Sequence, residues 1–197
     1  VLFACLIGSA LLFYAGWELI IVGLLCVLFA FLYTTGPYPL SYNGWGDVLV
    51  IVFFGFVPVG GTYYVQALTW TSDTTVASLI CGLLIDTLLV VNNYRDREAD
   101  ARSGKRTVIV RFGEKFGRYL YLMLGVAASL LCFWFFFEGH LFAALLPLLY
   151  LIPHVLTWRR MVQIHSGKKL NSILGETSRN MLLMGILLSI YFPYIFS

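Results

Sequence analysis

Apolar residues occur along this chain in long continuous runs, not in the alternation of a half-buried strand. A helix that crosses a bilayer needs about 20 mainly apolar residues. A lipid-facing barrel strand instead alternates apolar and polar positions over about 10. The pattern therefore predicts an all-α, polytopic transmembrane helical bundle. About seven helices are expected, over residues 1–16, 18–34, 47–67, 74–94, 116–137, 140–158 and 179–196. Gly16-Trp17-Glu18 and Glu138-Gly139-His140 read as tight breaks between antiparallel helices. Pro147 and Pro153 predict kinks in the sixth segment. Gly55, Gly60 and Gly61 predict close packing in the third. No internal repeat or low-complexity stretch interrupts the pattern, so residues 1–197 are expected to form a single domain.

Charge placement adds an orientation. All 13 Lys and Arg residues fall in two stretches. Arg95, Arg97, Arg102, Lys105, Arg106, Arg111, Lys115 and Arg118 lie around the fourth junction, and Arg159, Arg160, Lys168, Lys169 and Arg179 around the sixth. With seven spans these junctions share a side. The opposite turns carry Glu18, Asp73, Glu138 and His140, and no Lys or Arg. Basic loops stay in the cytoplasm, so residues 34–46, 95–115 and 159–178 are expected there.

Composition agrees. The 197 residues are 60% hydrophobic and 12% charged, against about 25% charged in soluble domains. Cys5, Cys26, Cys81 and Cys132 each sit in an apolar run without CxxC or Cys–His spacing, and read as small buried hydrophobes. His140, His154 and His165 lack ligand-spaced partners and read as non-catalytic. No Gly-rich phosphate loop, Ser-His-Asp arrangement or nucleic-acid signature is present. Val1 opens inside an apolar run with no charged region before it. That argues against a signal peptide and points to an N-terminally truncated fragment.

The chemistry-bearing stretch is Asp86-Thr-Leu-Leu-Val-Val-Asn92-Asn93-Tyr94-Arg95-Asp96-Arg97-Glu98-Ala99-Asp100. With Asp86 at zero on a helical wheel, Asn93 falls near −20°, Asp96 near −80°, Asp100 near −40° and Asn92 near −120°. Carboxylate and amide oxygens on one face suit Mg²⁺, which takes one or two carboxylates plus phosphate oxygens. Arg95, Arg97, Arg102, Lys105 and Arg106 beside them suit a diphosphate. The competing reading is a solvated juxtamembrane loop. Asp86 sits about two turns inside an apolar run, which marks either a functional site or an internal polar pair. A Pro-, Gly- and aromatic-rich loop, Tyr33 to Asp47, lies on the same side. It either closes over a flat aromatic ring or forms an interface belt.

Asn92-Asn93-Tyr94-Arg95-Asp96-Arg97-Glu98-Ala99-Asp100, then Gly104-Lys105-Arg106-Thr107 and Val110-Arg111-Phe112-Gly113, resemble the UbiA superfamily of intramembrane aromatic prenyltransferases. Tyr33-Thr34, Gly36-Pro37, Pro39, Tyr42, Gly44 and Gly46-Asp47, with Phe53-Phe54-Gly55 and Gln66, resemble its 1,4-dihydroxy-2-naphthoate branch. The resemblance covers most of residues 30–120. It implies a nine-helix fold, of which this chain carries helices 3–9 and lacks the first acidic motif. It implies Mg²⁺ on Asn93, Asp96 and Asp100. Asp96, Asp100 and Lys105 are then the expected catalytic residues, and Asn92, Arg95, Arg106, Tyr33 and Tyr42 substrate-binding ones. The implied partners are polyprenyl diphosphate, the naphthoate and the lipid bilayer, with the site on the cytoplasmic face of a bacterial cell membrane. Other aromatic acceptors, such as 4-hydroxybenzoate, haem or a chlorophyllide-like ring, remain alternatives. So does a transporter using Asp86.

Overall fold

The computed structural model describes residues 2–190, with the side chains of residues 4 and 5 outside the description. The expected end of the seventh helix at 191–196 and the side chain of Cys5 therefore lie outside the described residues. Those residues fold into helices without strands. They are α1 (Leu2–Ser9), α2 (Leu12–Ala15) and α3 (Glu18–Thr34), then α4 (Gly46–Ala67) and α5 (Ser72–Arg102). A short α6 (Val108–Phe112) leads into α7 (Glu114–Phe137), α8 (Leu141–Ile164) and α9 (Asn171–Ser189). Helices α4, α5, α7 and α8 are long and apolar enough to cross a membrane by length and composition.

Most boundaries match the hydropathy pattern, and the departures have physical causes. The first segment breaks between Ser9 and Leu12, so two short helices stand where one was expected. The fourth segment does not stop at residue 94 but continues helical to Arg102. Arg, Glu and Ala, which dominate that extension, are good helix formers. The last helix begins at Asn171, eight residues before the expected 179. Its polar first half, with Glu176, Arg179 and Asn180, hid it from a hydropathy window.

Helix α5 is the central element. Thr71 caps its start by accepting the Thr74 backbone N–H at 3.1 Å. Ile80, Leu84, Val90, Val91 and Tyr94 from α5 are buried. They join two apolar clusters with side chains of α7, α8 and α9. Helix α4 lies against α5 through glycines. An added Cβ at Gly55 would stand 2.5 Å from the Ser78 carbonyl, and one at Gly82 would stand 2.9 Å from the Ile51 carbonyl. Backbones that close leave no room for side chains. Gly60 makes room for the Trp70 ring, whereas a Cβ at Gly61 would meet nothing; close packing extends to two of the three expected glycines. Within α4, Ile51–Gly60 winds in wide π turns. Pro58 lies in that stretch and lacks the N–H that a regular turn requires. In α8 the helix tightens over Leu146–Tyr150, where Pro147 enters. Pro153 lacks the N–H that would reach back to the Leu149 carbonyl in that stretch, so both prolines bear on the irregularity.

Candidate active site

The polar end of α5 and the loop after α3 enclose a cavity of about 370 Å³. From α5 come Leu89, Asn92, Asn93 and Asp100, followed by Ser103, Lys105 and Thr107. From the other wall come Tyr33, Thr34, Ser41, Tyr42, Gly44, Gly46 and Asp47.

The wall segments hold each other by backbone bonds. The Arg106 N–H donates to the Tyr42 carbonyl at 2.7 Å. Arg111 reaches back from α6, with Nε on the Arg106 carbonyl at 3.0 Å and a terminal nitrogen on the Asn43 carbonyl at 2.8 Å. Gly44 adopts φ +79° beneath this staple, a left-handed conformation that disfavours other residues. The Ser41 hydroxyl donates to the Tyr33 carbonyl, and Asn43 donates to the Pro39 carbonyl at 2.8 Å. The Thr107 side chain caps α6 by accepting the Val110 N–H at 3.3 Å.

Six of the expected site residues meet in this cavity: Tyr33, Tyr42, Asn92, Asn93, Asp100 and Lys105. Asn93 is only 4% exposed. Lys105 Nζ lies 3.4 Å from Asp100 Oδ2, an ion pair without hydrogen-bond geometry. That oxygen is buried and has no hydrogen-bond donor. Asp96, Arg95 and Arg106 are not among the lining side chains. Asp96 is 40% exposed and engaged by the Arg95 fork at 2.7 and 2.6 Å. Arg95 also holds the Asn92 amide oxygen at 2.7 Å and that of Asn171 in α9 at 3.0 Å. Arg95 thus ties the stripe to the first residue of α9, at the same polar end of the bundle. The Arg106 side chain is exposed, and its contribution here is through the backbone.

Two residues outside the expected set matter. Asp47 lines the cavity, and its Oδ1 is buried without a partner. As an acid opening an apolar segment it carried a readable signal. Glu114 carried none, being one acid among many bases. It gathers Arg97 at 3.2 Å, Arg118, the Tyr94 hydroxyl at 3.2 Å and His165 at 3.4 Å. Arg97 also lies over the Tyr94 ring, 4.5 Å from its centre. This network locks the polar end of α5 to α7 and to the end of α8, and so fixes the direction in which Asn93 and Asp100 point.

The donor set fits Mg²⁺. Asp100 offers a buried carboxylate oxygen without a hydrogen bond, and the buried Asn93 lines the same cavity with a side-chain amide. Among the described residues, no three Asp, Glu, His or Cys side chains converge as a metal cage. Mg²⁺ bound with few protein ligands takes the rest from water and phosphate.

A model of the UbiA prenyltransferase family matches residues 1–191. The chain belongs to that family. Among curated relatives, the 1,4-dihydroxy-2-naphthoate octaprenyltransferase of Haemophilus influenzae is 37% identical over 177 residues, 86% of this chain and 55% of that protein. The protein of the same name from Escherichia coli is 38% identical over 138 residues, 67% of this chain and 44% of that protein. That from Mycobacterium tuberculosis is 44% identical over 119 residues, 60% of this chain and 40% of that protein. The chain therefore spans about half the length of the curated relatives it matches. No solved structure matches it. The UbiA match gives the cavity a family context: a polar pocket at one end of apolar helices, in a multi-pass membrane protein.

Proposed function

We propose that this UbiA-family chain forms the diphosphate-binding part of an enzyme that joins a polyprenyl group to 1,4-dihydroxy-2-naphthoate. The carboxyl group leaves as CO₂, and the product is a demethylmenaquinol, at the same hydroquinone oxidation level as the acceptor. The observation that carries the reading is the pairing of Asn93 and Asp100 with Lys105 on one cavity at the polar end of α5. The relatives' names supply the acceptor.

Asn93, Asp96 and Asp100 would hold Mg²⁺, with Asp96 released from Arg95 to do so. The bound ion supplies charge neutralisation to the departing diphosphate. Lys105 stands beside Asp100 and neutralises phosphate oxygens as the allylic C–O bond breaks. Arg95 keeps Asn92 in register when Asp96 turns to the metal, and Arg106 adds positive charge at the mouth. Tyr33 and Tyr42 face the cavity from the opposite wall, where flat side chains suit an aromatic ring. The basic stretches that follow α5 and α8 support a mouth at the cytoplasmic face of a bacterial cell membrane.

The test uses the full-length protein in membranes, with polyprenyl diphosphate, Mg²⁺ and either the naphthoate or 4-hydroxybenzoate. Mass spectrometry should find the decarboxylated naphthoquinol product, and turnover should stop when Mg²⁺ is chelated. A preference for 4-hydroxybenzoate would overturn the acceptor. Near-normal turnover in both Asp96→Ala and Asp100→Ala would overturn the site.

A further inference from the structure

Deeper along α5 than the side chains that line the cavity, the helix carries one more acid. Asp86 is 1% exposed, and its Oδ1 is buried without a hydrogen-bond partner. It shares the helix face of Asn93, seven residues or about 10 Å down the α5 axis. Leu89, one turn above it, lines the cavity. Asp47 enters from α4, lines the same cavity and likewise has a buried Oδ1 without a donor. The start of α4 packs on this face of α5: a Cβ added at Gly46, next to Asp47, would stand 3.4 Å from Leu89 Cδ2 and 3.7 Å from the Tyr33 hydroxyl. Two partnerless carboxylate oxygens in one buried place are costly unless something bound there donates to them.

We infer that Asp47 and Asp86 form the hydroxyl-recognising subsite for the aromatic acceptor, accepting a hydrogen bond from the ring hydroxyl farthest from its carboxylate. The inference rests on the proposed naphthoate reading. An anion is disfavoured at this floor: the diphosphate and the acceptor's own carboxylate would meet the acid of Asp47 and find no basic side chain among the cavity's α4 residues. A phenolic hydroxyl is a donor, which is what the floor lacks. Of the two hydroxyls of 1,4-dihydroxy-2-naphthoate, the one at C1 is adjacent to the carboxylate and is occupied by an internal hydrogen bond to it. The hydroxyl at C4 is free to donate. The same charge pattern orients the rest of the ring. With the C4 hydroxyl on Asp47 and Asp86, the carboxylate points away from the acids and towards Lys105 at the rim. C2, the carbon to be prenylated, is then turned towards the side on which the diphosphate sits. Asp47 and Asp86 thereby act as specificity residues and take no part in ionising the donor.

The experiment is a cycle between protein and acceptor in the full-length protein. The acceptors are 1,4-dihydroxy-2-naphthoate and 1-hydroxy-2-naphthoate, which differ by the C4 hydroxyl. The variants are Asp47→Asn, Asp86→Asn and Asp86→Leu, the asparagines being the shape-preserving controls against misfolding. With the unsubstituted protein, kcat/KM should be at least about ten-fold lower for the monohydroxy acceptor, as expected when a charged acceptor loses its donor. Asp86→Leu should lower kcat/KM for the dihydroxy acceptor by about ten- to a hundred-fold and leave the monohydroxy acceptor unchanged or improved. The asparagine variants should fall between. The KM for polyprenyl diphosphate should stay within two-fold throughout. Equal losses on both acceptors, or a loss confined to the diphosphate KM, would overturn the subsite while leaving the proposed reaction intact. Failure of the unsubstituted protein to prenylate either naphthoate would overturn the proposed acceptor and the subsite with it.

Discussion

In the second half of the chain, buried polar side chains answer one another. Tyr121 and Thr177 share a hydrogen bond at 3.0 Å. His154 Nε2 donates to the Leu122 carbonyl at 3.2 Å, which leaves Nδ1 to accept from the Tyr150 hydroxyl at 3.0 Å. Its ring is stacked between Tyr121 and Tyr150, with centres 4.7 and 5.0 Å away. Asn180 donates to Thr157 at 2.9 Å. In the cavity between α4 and α5 the opposite holds. Asp47 and Asp100, which line it, and Asp86 beside it each keep a buried oxygen without a hydrogen bond, and that of Asp100 has only the Lys105 ammonium, 3.4 Å away. A satisfied buried network specifies packing, and an unsatisfied one in a cavity is an unfinished site that a ligand completes. Substitutions in the two regions should therefore separate activity from stability.

The largest separation is expected at Asp100. Asp100→Ala in the full-length protein should lower kcat by about 10²–10³-fold, because a preorganised charge at the reacting group is lost. Its melting temperature should move by only a few degrees, since the change deletes a buried oxygen that makes no hydrogen bond and loses one ion pair to Lys105. Loss of both activity and melting temperature would make Asp100 a structural residue and erase the contrast.

His154→Ala should behave in the opposite way. It strands the Tyr150 hydroxyl and the Leu122 carbonyl and empties the space that Gly125 leaves for the ring. Together these cost about 2–4 kcal/mol. A lower denaturation midpoint is expected, with kcat/KM of the folded fraction unchanged within about two-fold. A fall in kcat/KM at unchanged stability would move His154 into the catalytic machinery.

How much of this was legible in the sequence follows from the range of each interaction. The helical class, most spans and the shared face of Asn93 and Asp100 come from periodicity within α5, which is local. The direction of the Asp96 carboxylate is not local. Arg95 sets it while also anchored to Asn171, 76 residues away, and no wheel contains that partner. The end of α5 was misplaced because charge was read as loop, although those side chains favour helix once Glu114 and Asn171 hold them. Asp47 stood in plain view as an acid among apolar and aromatic residues. Its pairing with Asp86 needed the approach of α4 to α5 through Gly55 and Gly82, which only the packed structure supplies.

Arg111 tests the weakest link in the comparison, the wall of the cavity rather than its contents. Its guanidinium spans two carbonyls, one on each side of the mouth, and so couples the loop bearing Tyr42 to the loop bearing Lys105. Arg111→Ala removes two charge-assisted hydrogen bonds, but both carbonyls lie near solvent and water replaces part of the loss. A rise of about three- to ten-fold in KM is expected, equivalent to about 1 kcal/mol, with kcat nearly held. Arg111→Lys should not restore it, because an ammonium is a point charge and cannot reproduce the fork that bridges two separate acceptors. If lysine restores full affinity, the residue contributes only positive charge at the mouth. The two walls would then be held by the Arg106–Tyr42 backbone bond alone.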